Sequence, residues 1–149
     1  MLTHKGTQII ETKRLILRPF TMEDARAMYD NWASDPDVTK FLTWPPHSSP
    51  AVTEALLETW TSNYANLNAY QWAITLQSVP IGSISVVSHD DRAEKAHIGY
   101  CIGKRWWHQS YTSEALSAVI DFLFDEVGFQ RIDSAHAIDN PHSGGVMRK

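Results

Sequence analysis

Residues 96–127, AHIGYCIGKRWWHQSYTSEALSAVIDFLFDEV, constrain what this chain can fold into more than any other stretch. A β-type run ending at Ile102 leads into a polar and aromatic turn, residues 103–111, and an amphipathic helix opens near Thr112. Within it Leu116, Val119, Ile120, Leu123 and Val127 recur at the helical period and form one apolar stripe. Glu114 falls in the first turn, where a carboxylate complements the positive end of the helix dipole. Gly128 follows the last apolar residue, as a C-terminal stop does. A strand, a loop and an open helix N-terminus form a ready anion site, because the first backbone N–H groups have no partner inside the helix. The expectation is that this unit binds a phosphate-bearing cofactor and that the rest of the chain packs around it.

The flanking segments supply the packing. Residues 1–12 carry no periodic pattern and read as a loose arm, and residues 14–18 then read as a strand closed by Pro19. Thr21 with Asp24 resembles a capping box, opening a helix whose stripe is Met22, Ala25, Met28, Tyr29 and Trp32. Asp35-Pro36-Asp37 breaks it, and the stiff loop around Phe41-Leu42-Thr43-Trp44-Pro45-Pro46-His47 follows. Ser49-Pro50 caps a second helix with the stripe Val52, Leu56, Leu57, Trp60 and Tyr64. From Tyr70 the period changes to two: Trp72, Ile74 and Leu76 alternate along a half-buried strand, and a short turn at residues 77–80 returns as a strand over 81–87. Past the long helix, residues 130–138 read as another strand, and Asn140-Pro141 opens a last helix. The order β-α-α-β-β-β-α-β-α predicts an α/β (α+β) mixed sheet with helices on both faces and a right-handed β-α-β crossover.

Composition narrows the function classes. At 149 residues the chain is long enough for one core and too short for two. A net charge of −4 gives no reason to expect a nucleic-acid surface. The single cysteine, Cys101, excludes an internal disulfide framework and fits a reducing, cytoplasmic compartment. No run approaches membrane-spanning length. The spacings of His89, Asp90, His97, His136 and His142 match no ligand motif, so no metal is expected.

Three local patterns carry a family resemblance: Glu11-Thr12-Lys13-Arg14-Leu15-Ile16-Leu17-Arg18-Pro19; Ile98-Gly99-Tyr100-Cys101-Ile102 followed by Trp107 and Tyr111-Thr112-Ser113-Glu114-Ala115-Leu116; and Asn140-Pro141-His142-Ser143 with Val146, Met147 and Lys149. In this order and spacing the chain resembles the GNAT superfamily of acyl-CoA-dependent N-acetyltransferases. It is most similar to the subgroup that includes ribosomal-protein alanine N-acetyltransferases. The resemblance implies a GNAT-like fold and acetyl-CoA as co-substrate, with no metal. The acceptor it implies is a primary amine, on a protein N-terminus or a small molecule. It also implies cofactor contacts from Tyr100, Cys101 and Ile102, a pyrophosphate cradle at Trp107, His108, Gln109, Ser110, Tyr111 and Thr112, and a further contact from Asn140. Ser143 falls where the subgroup places an acid for the departing thiolate.

Two departures bear on this. The family loop runs Arg/Gln-x-x-Gly-x-Gly/Ala, often with a further glycine inside, whereas here His108 and Ser110 stand at the glycine positions. Glycine supplies permissive φ/ψ and close approach to phosphate, so Ser110 brings a Cβ to where oxygen sits, with a hydroxyl able to donate instead. GNAT folds also continue into two further strands. The expectation is therefore one domain over residues 1–149, short at its C-terminus, that forms a homodimer through the incomplete sheet edge. His97, just before Ile98-Gly99-Tyr100 where many relatives carry glutamate, reads either as the general base or as a solvated strand histidine. Trp44 and His47 read as acceptor-pocket residues or as loop packing. An acetyltransferase stands beside two alternatives, a degenerate member that binds CoA or a partner without turnover and a purely structural dimerisation domain.

Overall fold

The computed structural model describes residues 2–39 and 45–134. Six strands run β1 (Ile10–Glu11), β2 (Ile16–Arg18), β3 (Gln71–Leu76), β4 (Val79–Asp90), β5 (Lys95–Ile102) and β6 (Arg131–Ser134), adjacent in sequence order across one sheet. The first five pair antiparallel, and β5 with β6 is parallel, as a β-α-β crossover requires. The helices are α1 (Ala25–Met28), α2 (Pro36–Thr39), α3 (Pro50–Asn63) and α4 (Tyr111–Phe122). A 3-10 turn (Met22–Asp24) enters α1, and wider π-type turns extend α1 (Tyr29–Ala33) and α4 (Leu123–Val127). This is the mixed α/β architecture expected from the hydrophobic periods. The expected last helix and the end of the last strand lie outside the described residues.

The sheet divides two apolar clusters. The stripe of α4 is fully seated: Leu116, Val119, Ile120, Leu123 and Val127 are buried against Trp72, Ile74, Ile84, Ala96, Ile98 and Ile102. On the other cluster Phe20, Ala25, Met28, Trp32 and Leu57 of the α1 and α3 layer close over Ala73. Strand β3 is therefore buried on both faces rather than one, with Ala73 at 0% and Thr75 at 2% exposure. Short residues there look solvent-facing in sequence only because the covering helices come from distant segments. Met22 and Val52, read as stripe members, are exposed. Met22 lies in the entry turn, and Thr53 with Leu57 takes the inner face of α3.

Polar contacts tie the α1 layer to the sheet. Arg18 donates two hydrogen bonds to Asp24, both 2.8 Å, and the Thr21 N–H donates to the same carboxylate. Burial pushes the Asp24 carboxyl up, but these donors outweigh it and hold it below its usual range. Tyr64 Oη accepts from the Phe20 N–H and donates to the Gln71 carbonyl, and burial pushes this hydroxyl up to about 12.

The N-terminal segment is not a loose arm. The Thr3 N–H donates to the Val127 carbonyl and the Gly6 N–H to Leu67, while the Gln8 carbonyl accepts from Trp72 Nε1. Residues 10–11 then pair with β2 as the outer strand. These are backbone contacts, which leave no hydrophobic period to read.

Candidate functional site

Strand β5 delivers the chain into a loop at residues 103–110 that ends at the first turn of α4. A short 3-10 turn (Lys104–Trp106) lies inside it, and Trp107 Nε1 donates to the Ile102 carbonyl at 2.9 Å, closing the loop onto the strand it left. Gly103 makes this close return possible. A Cβ there would fall 2.5 Å from the Asn31 carbonyl oxygen and 2.6 Å from the Trp106 ring.

His108, Gln109 and Ser110 are exposed, and His108 and Ser110 have φ of +61° and +66°. These are the two positions where the family pattern has glycine, and the backbone keeps the left-handed conformation despite the Cβ atoms. Side-chain residues enter that region at a cost of about 1–2 kcal/mol each, so surrounding contacts must hold it. Arg14 supplies several. Its guanidinium donates to the Gln109 carbonyl at 3.1 Å, lies 4.3 Å over the Tyr111 ring and donates to Glu114 at 2.7 Å. The Arg14 N–H and Thr12 Oγ1 also donate to Glu114. Burial pushes the Glu114 carboxyl up, yet Thr12 and Arg14 outweigh it and hold it below the ordinary range. Glu114 is thus the pin joining α4 to the β1–β2 turn, in line with a structural rather than chemical role.

Ser110 makes no side-chain cap to α4, and the first bond into the helix backbone is from the Glu114 N–H to the Ser110 carbonyl. The earlier N–H groups of the helix, at an exposed loop, form an array suited to phosphate oxygens. The cradle therefore fits the pyrophosphate-bearing group the sequence implies. Of the strand residues assigned to the same group, Ile102 is buried in the α4 core, Tyr100 is packed on it, and Cys101 packs on the opposite cluster. Their side chains are committed to packing, so they can serve a ligand through the backbone. Burial pushes the Cys101 thiol up to about 12, which leaves no thiolate near neutral pH.

At the other end of β5, His97 Nδ1 is hydrogen-bonded to Asp133 Oδ1 across the parallel pairing to β6, where the two residues stand directly opposite. Lys95 lies 3.6 Å from the other carboxylate oxygen. The hydrogen bond from His97, with the charges of His97 and Lys95, holds the Asp133 carboxyl below its usual range. The His97 side chain is 39% exposed, and its Nε2 has no protein partner among the described residues. Between Ile98 and His97 the pairing with β4 slips, leaving Val87 as an extra, exposed residue. Such bulges re-aim side chains and break pairing at the rims of sites. Ile102 lies five positions beyond His97, roughly 17 Å along a strand. Asp133 was not read from sequence, because only the strand register brings it to His97.

His47 is 7% exposed, its Nδ1 bonded to Thr53 Oγ1 at 2.6 Å, and burial lowers the imidazole below its usual value. It holds the preceding loop to α3 from within. Trp44, Asn140 and Ser143 lie outside the described residues.

Comparison with known proteins bears on the fold and the family. A family model described as an acetyltransferase (GNAT) domain matches residues 14–149. The uncharacterized N-acetyltransferase YoaA of Bacillus subtilis (strain 168) is 29% identical over 143 residues, covering 95% of this chain and 80% of that protein. The RimL ribosomal L7/L12 alpha-N-protein acetyltransferase, solved in complex with coenzyme A, shares the fold with a TM-score of 0.80 at 20% identity, over 93% of this chain and 80% of that one. The microcin C7 self immunity acetyltransferase MccE, solved with acetyl-CoA and AMP, gives a TM-score of 0.75 at 18% identity, over 90% and 76%. The chain belongs to the acetyltransferase (GNAT) domain family.

Proposed function

We propose that this chain moves an acetyl group from acetyl-CoA to a primary amine, on a protein N-terminus or a small molecule. The observation that carries the reading is the loop before α4, which keeps left-handed backbone at His108 and Ser110, the positions of glycine in the family pattern that the sequence resembles. Left-handed residues beside an uncapped helix start turn backbone N–H groups outward together, an arrangement that receives phosphate oxygens. In this reading the backbone of residues 107–112 holds the pyrophosphate, and Arg14 fixes the cradle from behind through Gln109 and Tyr111. The backbone of residues 98–102 receives the pantetheine arm, and Asn140 adds a contact. When bound, acetyl-CoA supplies a thioester whose thiolate leaves readily.

His97 then accepts the amine proton at Nε2, directly or through water, while Asp133 orients the ring at Nδ1. Ser143 protonates the departing sulfur. Trp44 and His47 belong to the segment that shapes the acceptor pocket in this reading, with the buried His47 acting through its packing on α3 rather than by contact. RimL and MccE bind different partners on one fold, so the acceptor class stays open between peptide and small molecule. The reading includes a single domain over residues 1–149. It also includes a homodimer through the outer edge of β6, which has one strand neighbour among the described residues. A monomeric sedimentation profile at tens of micromolar would remove the dimer.

Thermal shift with acetyl-CoA, followed by thiol release on a panel of amines, tests the activity. At 100 times its Kd the ligand stabilises by about 2.7 kcal/mol, so binding is plain to see. A shift with thiol release supports an acetyltransferase. A shift without release on any amine leaves a binding protein without turnover, and no shift removes acetyl-CoA from the account.

A further inference from the structure

Far from the cradle, three segments converge at one rim of the sheet. His4 comes from the N-terminal segment, His89 from the end of β4 and Asp91 from the turn that follows. His4 Nε2 lies 3.0 Å from Asp91 Oδ2, and His89 Nδ1 lies 2.6 Å from Asp91 Oδ1. One ligating atom from each of the three lies within 4.8 Å of the others. Both rings are half-buried and pack edge-on against Phe129, with centroids 6.1 Å away, while Asp91 is exposed.

The outward nitrogens are spoken for. His89 Nε2 lies 3.2 Å from the Asn68 carbonyl, an acceptor only, so this nitrogen keeps its hydrogen, while Nδ1, which donates to the Asp91 carboxylate in the metal-free chain, is the nitrogen that gives up its hydrogen to an ion. His4 Nδ1 lies 2.9 Å from the Tyr70 hydroxyl, which leaves Nε2 for the centre. Each imidazole is thus oriented by an oxygen partner on its outer side, the arrangement that fixes ring and tautomer in metal-binding histidines. His4 is itself held, since the residues around it are bonded through Thr3 to Val127, Lys5 to Tyr70 and Gly6 to Leu67.

We propose that His4, His89 and Asp91 form a site for a divalent transition ion of the zinc, cobalt or nickel class, which clamps the N-terminal segment to the turn that begins β5. Nitrogen and carboxylate donors suit these ions. With bonds of about 2.0–2.1 Å, tetrahedral ligands stand about 3.4 Å apart. The two His–Asp91 contacts, 3.0 and 2.6 Å, are somewhat shorter than this spacing, and all three donor atoms already lie within 4.8 Å of one another, so local side-chain adjustment brings them to a shared ion. The exposed side of Asp91 leaves room for water to complete it. The site is separate from the acetyl-transfer residues and does not depend on that activity.

The test is titration of the full chain with Zn²⁺, and separately with Co²⁺, by calorimetry and by the visible absorption of bound cobalt. The variants are His4→Ala, His89→Ala, Asp91→Asn, Tyr70→Phe and, as a control, His97→Ala. The expected result is one ion per chain, a melting temperature that rises with Zn²⁺, and loss of binding in His4→Ala and His89→Ala. Tyr70→Phe keeps the ring packing, removes the outer partner of His4 together with the acceptor of the Lys5 N–H, and should weaken binding about tenfold. His97→Ala should bind as the parent does, and acetyl transfer by His4→Ala should be unchanged. Absence of binding to the parent chain overturns the proposal. So does binding that survives in the His4→Ala/His89→Ala double variant, which would place the ion on other histidines. Variants that melt as the parent does without metal keep the comparison valid, and Tyr70→Phe decides the matter if either alanine variant fails to fold.

Discussion

Ser110 sits at φ +66° with its side chain exposed and no cap to α4, so its Cβ brings strain without visible compensation. Replacing it by glycine relieves about 1–2 kcal/mol of left-handed strain. It also gives the unfolded chain back about 0.4–1 kcal/mol of freedom. The net gain should therefore be about 0–1.6 kcal/mol, read as a melting temperature raised by up to about 6 °C. A lowered melting temperature would mean that the Ser110 side chain contributes a contact. His97 makes the second residue-scale prediction. With Nε2 free and Nδ1 held by Asp133, His97→Ala should lower kcat by about 10²-fold or more, with the fold intact by circular dichroism. Asp133→Asn should lower kcat by a smaller factor and leave KM for acetyl-CoA unchanged. Loss of less than about threefold on His97→Ala, well short of what acid–base catalysis contributes, would remove His97 from the chemistry. His97 could be singled out in sequence as a candidate, base or solvated strand histidine alike, but its hydrogen-bond partner Asp133 could not. Residues 97 and 133 meet only through parallel strand register, which depends on the length and packing of the crossover between them.

At the scale of elements, α4 was the most legible part of the chain, because its whole stripe faces one uninterrupted sheet surface. Its N-terminal attachment was not, since Thr12 and Arg14 reach Glu114 from about a hundred residues away in sequence. Removing that carboxylate with Glu114→Ala should cost roughly 1.5–3 kcal/mol, the range for hydrogen bonds to a charged group. It should also raise KM for acetyl-CoA, because Arg14 loses its anchor beside the cradle. The Glu114 carboxyl is held below the ordinary carboxylate range. Its contribution to stability is therefore complete above the unfolded value and disappears as pH falls through the folded one. A denaturation series from neutral to acid pH should show a loss in the parent chain that Glu114→Gln, already without the charge, shows less of. Gly103 is a purely steric case: its φ is an ordinary −60°, yet a Cβ would strike the Asn31 carbonyl oxygen. Gly103→Ala should destabilise by about 1–3 kcal/mol through overpacking, measured by urea denaturation, and a neutral result would mean that the loop gives way freely.

Across the whole molecule, the sheet separates two cores, and the cradle stands where the crossover leaves one of them. The α/β order, the change of period at Tyr70 and the helix stripes were open to reading because burial imposes a period on the chain. The N-terminal segment was misread as loose because its attachment runs through backbone groups and through His4, Thr7 and Gln8, none of which forms an apolar pattern. The convergence of His4, His89 and Asp91 escaped for the same reason, since no ligand spacing joins residues so far apart. The family was legible from three short patterns, and the missing glycines in one of them placed the central question at His108 and Ser110. The structure sharpens that question: the conformation of glycine is present without the residue. Calorimetric titration of acetyl-CoA into the parent chain and into Ser110→Gly answers it most directly. If the loop carries the pyrophosphate, both bind, and the glycine variant binds severalfold more tightly because phosphate oxygen can approach where the Cβ stood. An unchanged Kd in Ser110→Gly, with its melting temperature raised as expected, would show that the left-handed backbone serves packing alone and would contradict the assignment of the cradle.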